Sequence, residues 1–309
     1  MKKQKNKALV LFSGGLDSML AVKLLVGQGV ETMLVCFTSN FFDSKTAESS
    51  ARILGLPLRK ENISEDFLTV LKKPKHGYGA GLNPCIDSRA FMLKKAGEIM
   101  RKEGFDFVAT GEVLGERPMS QNQRALKIVE KEAGLEGRLL RPLSVKLLEP
   151  TIPEKQGLAN RKKLLDFSGR SRQRQMALAK KYGIKNYPSP GGGCVLTQSG
   201  FAARLKKTME NRPDFSADDA NLIGVGRHFF YGETWFILGR DKAENEFLKK
   251  HKKPADAFVV PLNFAGPEAL VRGKKISDEA IKRAKDLIVK FAPKAKNLEE
   301  EFIFETVIK

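Results

Sequence analysis

Residues 13–18, Ser13-Gly14-Gly15-Leu16-Asp17-Ser18, stand between two apolar runs of different period. Ala8-Leu9-Val10-Leu11-Phe12 is a β-type run, and Ser18-Met19-Leu20-Ala21-Val22-Lys23-Leu24-Leu25 carries helical spacing. The pattern predicts a strand, a tight turn and a helix. Such a turn gathers backbone N–H groups and a helix N-terminus around one small volume, where the helix dipole favours negative charge. Two glycines let an anion approach the backbone closely. Ser13 and Ser18 add hydroxyl donors. Asp17, near the helix start, is suited to capping N–H groups or to holding Mg²⁺ against a polyphosphate. An ordinary strand-to-helix turn does not need this combination, so the loop predicts phosphate binding within an α/β structure.

The chain beyond it continues the alternation. A second strand is expected over 30–38, a helix over 43–54, and a third strand entered at Leu56-Pro57-Leu58-Arg59. A short helix follows over 64–72, then a loop over 73–84 rich in Gly, Pro and Lys. A longer amphipathic helix is expected over 86–102, with Phe91, Met92, Ala96, Ile99 and Met100 turned inward. Strands at 105–110 and 139–143 complete the set. Strands alternating with helices imply a doubly wound parallel sheet covered on both faces, with ligands gathering beyond the carboxyl ends of the strands. The phosphate loop, Phe37-Thr38-Ser39, Thr110-Gly111 and Pro142 all lie at such ends.

Residues 161–183 read as two basic helices broken at Ser168-Gly169, and the Pro/Gly-rich run 187–194 closes a first domain over 1–200. Residues 201–309 read as a smaller α+β domain. It has strand-like pieces at Arg227-His228-Phe229-Phe230-Tyr231 and Trp235-Phe236-Ile237-Leu238, a helix over 241–251, and further elements within 277–291 and 302–308.

The 309 residues carry a net charge of +19, the electrostatic footprint of a nucleic-acid binder. The excess is concentrated: residues 151–200 hold ten basic side chains against Glu154 and Asp166. Lys162, Lys163, Arg170, Arg172 and Arg174 are the expected RNA phosphate contacts in this segment. No apolar run is long enough to span a membrane, and the basic N-terminus enters the phosphate loop without a signal-type core. A soluble cytoplasmic protein is expected. Three cysteines, Cys36, Cys85 and Cys194, are too few and too scattered for a disulfide framework. Cys36 lies in an apolar strand and reads as packing. Cys85, after a Pro in the Gly-rich loop, and Cys194, after three glycines, read as functional thiols. Neighbouring Lys and Arg are expected to lower their pKa values.

The phosphate loop resembles that of the N-type ATP pyrophosphatases. Thr110-Gly111-Glu112-Val113-Leu114-Gly115, then Ser120-Gln121 and Leu140-Arg141-Pro142-Leu143, resemble segments of tRNA 4-thiouridine synthetases, and Asn83-Pro84-Cys85 resembles the Asn-Pro motif of tRNA 2-thiouridylases. The chain is thus similar to PP-loop tRNA thiolation enzymes over roughly residues 8–200, closer to the 4-thiouridine branch. Relative to that branch, no RNA-binding region is expected before the loop and no rhodanese-like domain is expected after it. Gly226-Arg227-His228-Phe229, Gly239-Arg240-Asp241 and Glu244-Asn245 are similar to the RNA-binding domain of NFACT-type ribosome quality-control factors.

The resemblance implies ATP and Mg²⁺ bound at Ser13, Gly14, Gly15, Asp17, Ser18, Phe37, Thr38, Thr110, Gly111 and Gly115. It implies tRNA as partner, contacted also by Arg227, His228 and Arg240, and a sulfur donor, either a cysteine desulfurase or sulfide. A uridine carbonyl oxygen is a poor leaving group. Its adenylation by ATP releases pyrophosphate and lets a sulfur nucleophile displace AMP. In one mechanism Cys194 carries a persulfide and Cys85 resolves it. In the other, Cys85 and Cys194 ligate a 4Fe-4S cluster, with Ser88 where a third cysteine ligand is expected. Three other readings are weighed beside this one: a tRNA 2-thiouridylase, a small-molecule amidating or ligating ATP pyrophosphatase, and a non-enzymatic RNA- or ribosome-binding protein. The modified uridine, its modified atom and the oligomeric state are not readable from the sequence.

Overall fold

The computed structural model describes residues 6–188, 194–292 and 303–308. Two compact units divide the chain, Met1–Gln198 and Ser199–Lys309. The glycine run expected to close the first domain lies largely outside the described residues.

Among the described residues, the first unit contains a five-stranded sheet of β1 (Lys7–Leu11), β2 (Glu31–Thr38), β3 (Leu58–Asn62), β4 (Phe107–Thr110) and β5 (Leu139–Leu140). The spatial order is β3-β2-β1-β4-β5, and every pairing is parallel. The chain winds outward from β1 to β3, then returns to the other side of β1. The order therefore switches between β1 and β4, where a crevice opens beyond the strand ends. Central position explains why β1 is apolar on both faces: Ala8, Leu9 and Val10 are fully buried.

Helices α1 (Leu16–Val26), α2 (Lys45–Leu54), α3 (Ser64–Lys72), α4 (Cys85–Glu103), α5 (Gln123–Glu132), α6 (Ile152–Lys155) and α7 (Gln173–Lys181) cover the sheet. Helix α1 buries almost its whole circumference, because α7 packs against it as well as the strands. The inner face of α4 differs from the expected one: Ala90, Leu93, Ala96, Gly97 and Met100 are buried, whereas Phe91, Met92 and Ile99 are only partly so. Gly97 allows the difference, since a Cβ there would lie 3.0 Å from Leu135. Helix α5 was not expected. The Asn122 side chain caps it, accepting from Ala125 N at 2.8 Å.

The two expected basic helices are one tight turn, Arg161–Lys163, and α7. Between them the chain is extended. Leu165 N and Phe167 N donate to Pro142 O and Leu143 O at 3.0 and 2.7 Å, and these bonds replace helical ones. They also account for the short β5, whose expected continuation pairs with this segment instead.

The second unit contains an antiparallel sheet of β6 (Arg227–Tyr231), β7 (Thr234–Leu238), β8 (Ala257–Pro261), β9 (Ala269–Arg272) and β10 (Phe304–Ile308), ordered β10-β8-β9-β7-β6. Its helices are α8 (Ser199–Asn211), α9 (Ala217–Ala220), α10 (Lys242–Lys250) and α11 (Asp278–Phe291). Ala280, Ala284 and Ile288 of α11 pack on Phe236, Val259 and Val271 of one sheet face. Among the described residues, no helix is long and apolar enough to cross a membrane.

Candidate active site

The phosphate loop sits at the switch point and is held by backbone contacts with no room for side chains. Gly14 has φ +77°, and a Cβ on it would lie 2.5 Å from Thr46 O, so the loop abuts the first turn of α2. Gly111, just past β4, would place a Cβ 2.4 Å from Ser18 N. The two loops that flank the crevice therefore meet backbone to backbone. Ser18 Oγ donates to Gly15 O at 2.8 Å, and Ser50 Oγ donates to Gly14 O at 2.7 Å. The Ser18 hydroxyl thus shapes the loop, while Ser13 is exposed on it.

A cavity of about 620 Å³ opens here. Of the expected nucleotide contacts, Ser13, Gly15, Asp17, Ser18, Phe37, Thr110 and Gly111 line it. Gly14, Thr38 and Gly115 are not on its wall: Gly14 faces α2, the Thr38 hydroxyl points to Glu61 O at 3.5 Å, and Gly115 N donates to Gln121 O at 2.8 Å. Cys36 lines the cavity from inside β2, where burial pushes its thiol up to about 11.

Arg172 was expected to contact RNA. It belongs to the cavity wall instead, its guanidinium 3.8 Å from the Asp17 carboxylate. Burial raises the Asp17 pKa above its ordinary value, against the pull of Arg172. Burial also raises that of Glu116 on the same wall, with the Asp17 charge adding to it. Asp17 Oδ1, Arg172 Nε and Gln121 Oε1 are buried there without hydrogen-bond partners. Unpaired buried polar atoms are costly, and three around one cavity are the pattern of a site completed by a polar ligand. The glycine cradle, the Arg172 and Arg117 cations and the apolar Phe37 and Phe42 fit a nucleoside triphosphate. The Asp17 carboxylate fits Mg²⁺ held jointly with phosphates.

A buried charge network, not expected from the sequence, closes the other side. Glu112 pairs with Arg89 of α4 and accepts from Arg141 Nε at 2.9 Å, and Arg141 reaches Glu130 of α5 at 2.9 Å. Burial alone would raise the Glu112 pKa, but Arg141 and Arg89 hold it below its ordinary value. The carboxylate stays charged and fixes the β4 end against α4, α5 and β5. A Glu two residues after a strand end and an Arg beside a short strand were the only local signals.

Cys85 is the first residue of α4, and Cys194 begins the turn Val195–Thr197. The two segments are joined: Leu82 N donates to Leu196 O at 3.0 Å, and a Cβ on Gly81 would lie 2.4 Å from that oxygen. The thiols are close enough for the charge of Cys85 to act on Cys194. Contrary to expectation, both thiol pKa values are raised, because burial outweighs the pull of Arg89 and Arg117 on Cys85 and of Arg117 on Cys194. Arg117 lines the cavity and acts on Asp17 as well.

An iron–sulfur cluster does not fit the described residues. Ser88 Oγ is buried and without a partner, but the Asp87 carboxylate is taken by the N–H groups of Lys75 and His76, both at 3.0 Å. Among the described residues, no three His, Cys, Asp or Glu side chains gather as metal ligands.

Lys162, Lys163 and Arg170 are exposed, whereas Arg174 pairs with Asp166 and lies 4.3 Å over the Phe167 ring. In the second unit, both His228 nitrogens are occupied: one bonds Val225 O at 2.7 Å, the other accepts from Trp235 Nε1 at 3.0 Å. Burial lowers its pKa to about 4, so the ring is neutral and, contrary to expectation, offers RNA neither a charge nor a free ring nitrogen. Glu244 ties the two Gly-Arg turns together, accepting from Gly226 N at 3.2 Å and Arg240 N at 2.8 Å and pairing with the Arg240 guanidinium. Arg227 lies 5.0 Å over the Phe291 ring.

Residues 3–146 match the family model described as thiamine biosynthesis protein (ThiI), and residues 226–304 match the NFACT protein RNA binding domain. Both expected resemblances are thus met. A probable tRNA sulfurtransferase of Alkaliphilus metalliredigens is 33% identical over 141 residues, covering 44% of this chain and 35% of its own. An argininosuccinate synthase of Listeria welshimeri is 31% identical over 115 residues, covering 35% and 28%. A tRNA-specific 2-thiouridylase of Syntrophotalea carbinolica is 34% identical over 124 residues, covering 35% of each. The chain therefore spans about a third of the length of these curated relatives.

Proposed function

We propose that this protein is an ATP-dependent tRNA uridine sulfurtransferase that makes 4-thiouridine. The observation that carries the reading is helix α4, which begins at Cys85 and one turn later puts Arg89 on the wall of the nucleotide cavity, while the Leu82 N to Leu196 O bond ties the Cys194 turn to the segment just before that helix. A phosphate site alone fits many ATP-consuming enzymes. A phosphate site beside a thiol pair fits adenylation followed by sulfur transfer.

In this reading the loop N–H groups hold the phosphates, and Arg172 and Arg117 offset charge on the departing pyrophosphate. Mg²⁺, when bound at Asp17, neutralises the polyphosphate further. The uridine O4 attacks the α-phosphorus and pyrophosphate leaves. The terminal sulfur of a Cys194 persulfide then attacks C4. The Cys85 thiolate attacks the inner Cys194 sulfur, the S–S bond of the persulfide breaks, and AMP leaves C4. A Cys85–Cys194 disulfide remains for a thiol reductant to open. A cysteine desulfurase loads Cys194 by handing the outer sulfur of its own persulfide to the Cys194 thiolate and leaving as a thiol. Sulfide as donor would instead attack the Cys194 sulfur of the Cys85–Cys194 disulfide, releasing the Cys85 thiolate and leaving the persulfide on Cys194. The exposed Lys162, Lys163 and Arg170, and the second unit, contact tRNA. The reading implies a cytoplasmic protein.

The test is pyrophosphate release and 4-thiouridine formation with purified tRNA. Wild type is expected to release pyrophosphate faster with tRNA present. Cys194→Ala is expected to keep that release and lose thiolation; thiolation surviving in Cys194→Ala removes the sulfur assignment. The likeness to argininosuccinate synthase supports a second reading, a small-molecule ligating enzyme with the same nucleotide site. Pyrophosphate release that ignores tRNA but responds to a small amine would favour it.

A further inference from the structure

Strand β6 is the edge of the second sheet, and its side chains alternate between two environments. His228 and Phe230 turn to the face where Trp235 lies, with ring centroids 5.5 and 5.9 Å from the indole. Arg227, Phe229 and Tyr231 turn to the face covered by α11. That helix packs over β7, β8 and β9, so its cover thins toward the β6 edge. The result is a slot of about 310 Å³ between β6 and α11.

The slot has an unusual lining for a surface recess. Phe236 forms a buried floor, and Phe229 is half-buried beside it. Tyr231 is 50% exposed, with the Arg283 guanidinium 3.5 Å from its ring centroid. Arg283, Asp286, Leu287 and Lys290 follow one another at helical spacing along the opposite wall. Arg283 Nε is buried without a hydrogen-bond partner, although the guanidinium also reaches Glu279 at 3.2 Å. Lys290 makes no ion pair among the described residues.

Flat apolar rings with cations at their rim favour a ligand with a flat face and a negative charge. We propose that this slot binds an unpaired nucleotide of RNA. The base stacks on Phe229 and Tyr231, and the adjoining phosphate meets Arg283 and Lys290. Asp286, between those cations, accepts an N–H of the base edge and disfavours an acidic peptide. The inference rests on RNA being the substrate partner, and it adds a base-stacking site for single-stranded or looped segments.

The test uses the full chain with a short oligouridylate carrying 5-bromouridine, an RNA duplex of the same length, and intact tRNA. Single strands are expected to bind in preference to duplex, and photo-crosslinks to map to Phe229 or Tyr231. Tyr231→Ala is expected to weaken oligouridylate binding roughly tenfold, and Tyr231→Phe to retain it, since stacking needs only the ring. Arg283→Gln is expected to weaken binding and flatten its salt dependence. Unchanged Trp235 emission in the free variants shows that the unit is folded. If tRNA binds and stimulates pyrophosphate release while crosslinks map elsewhere and Tyr231→Ala binds like wild type, the slot assignment falls and the tRNA reading stands. If neither RNA binds, both fall. If polyglutamate binds in a Tyr231-dependent way and oligouridylate does not, the slot is a peptide site and the proposal is overturned.

Discussion

Gly111 has no space for even one methyl group, because its Cβ would meet the backbone at Ser18 rather than a movable side chain. Relief requires the end of β4 or the start of α1 to shift, and both shape the phosphate loop. Gly111→Ala is therefore expected to cost about 1–3 kcal/mol of stability and to abolish ATP-dependent pyrophosphate release. Urea denaturation and the release assay check the two effects. The cysteines make a different residue-scale prediction. Burial penalises the thiolate, so Cys85 and Cys194 are deprotonated at higher pH than a free thiol, despite Arg89 and Arg117. Alkylation by iodoacetamide, followed by mass spectrometry against pH, is expected to rise later for both than for a free cysteine peptide. A midpoint below that of the peptide would show that the arginines win.

At the scale of elements, Glu112 joins parts of the first unit that are distant in sequence. Its carboxylate holds Arg89 on α4 and Arg141 beside β5, and Arg141 continues to Glu130 on α5. Removing one charge from a buried network leaves its partners unmatched. Glu112→Gln is expected to cost about 3–5 kcal/mol in urea denaturation, and Glu130→Gln, more exposed, less. A loss no larger than that of an exposed Glu→Gln change would show that the network does not stabilise the fold. This network also marks where sequence reading stops. The loop at 13–18 was legible because strand, turn and helix signals are adjacent, and β1 to β4 followed from local period. Helix α5 was missed although Asn122 caps it, and with it Glu130. Arg172 was legible as a cation but not as a neighbour of Asp17, since α7 reaches α1 only through tertiary packing. The Gly-Arg motifs around Gly226 and Gly239 were legible as a pattern. That one carboxylate, Glu244, holds both turns could be seen only once they were brought together.

At the scale of the whole molecule, 55 Lys and Arg against 36 Asp and Glu set a long-range attraction for polyanions. Several cations read from the sequence as RNA contacts are already committed: Arg172 to Asp17, Arg174 to Asp166 and Arg240 to Glu244. The exposed Lys162 and Lys163 pair with no carboxylate among the described residues, so they are the better candidates to displace counterions from tRNA. Each phosphate contact adds about 0.7–0.9 to the slope of log affinity against log salt. The Lys162→Glu, Lys163→Glu double variant is therefore expected to bind tRNA more weakly at low salt and to reduce that slope by roughly 1.5. The complementary Arg174→Gln variant is expected to leave the slope nearly unchanged, because its charge is already matched by Asp166. Filter binding across a salt series measures both. An equal loss of slope in the two variants would mean that the Arg174 pair opens to meet RNA, and that exposure in the free protein is a poor guide to its RNA contacts.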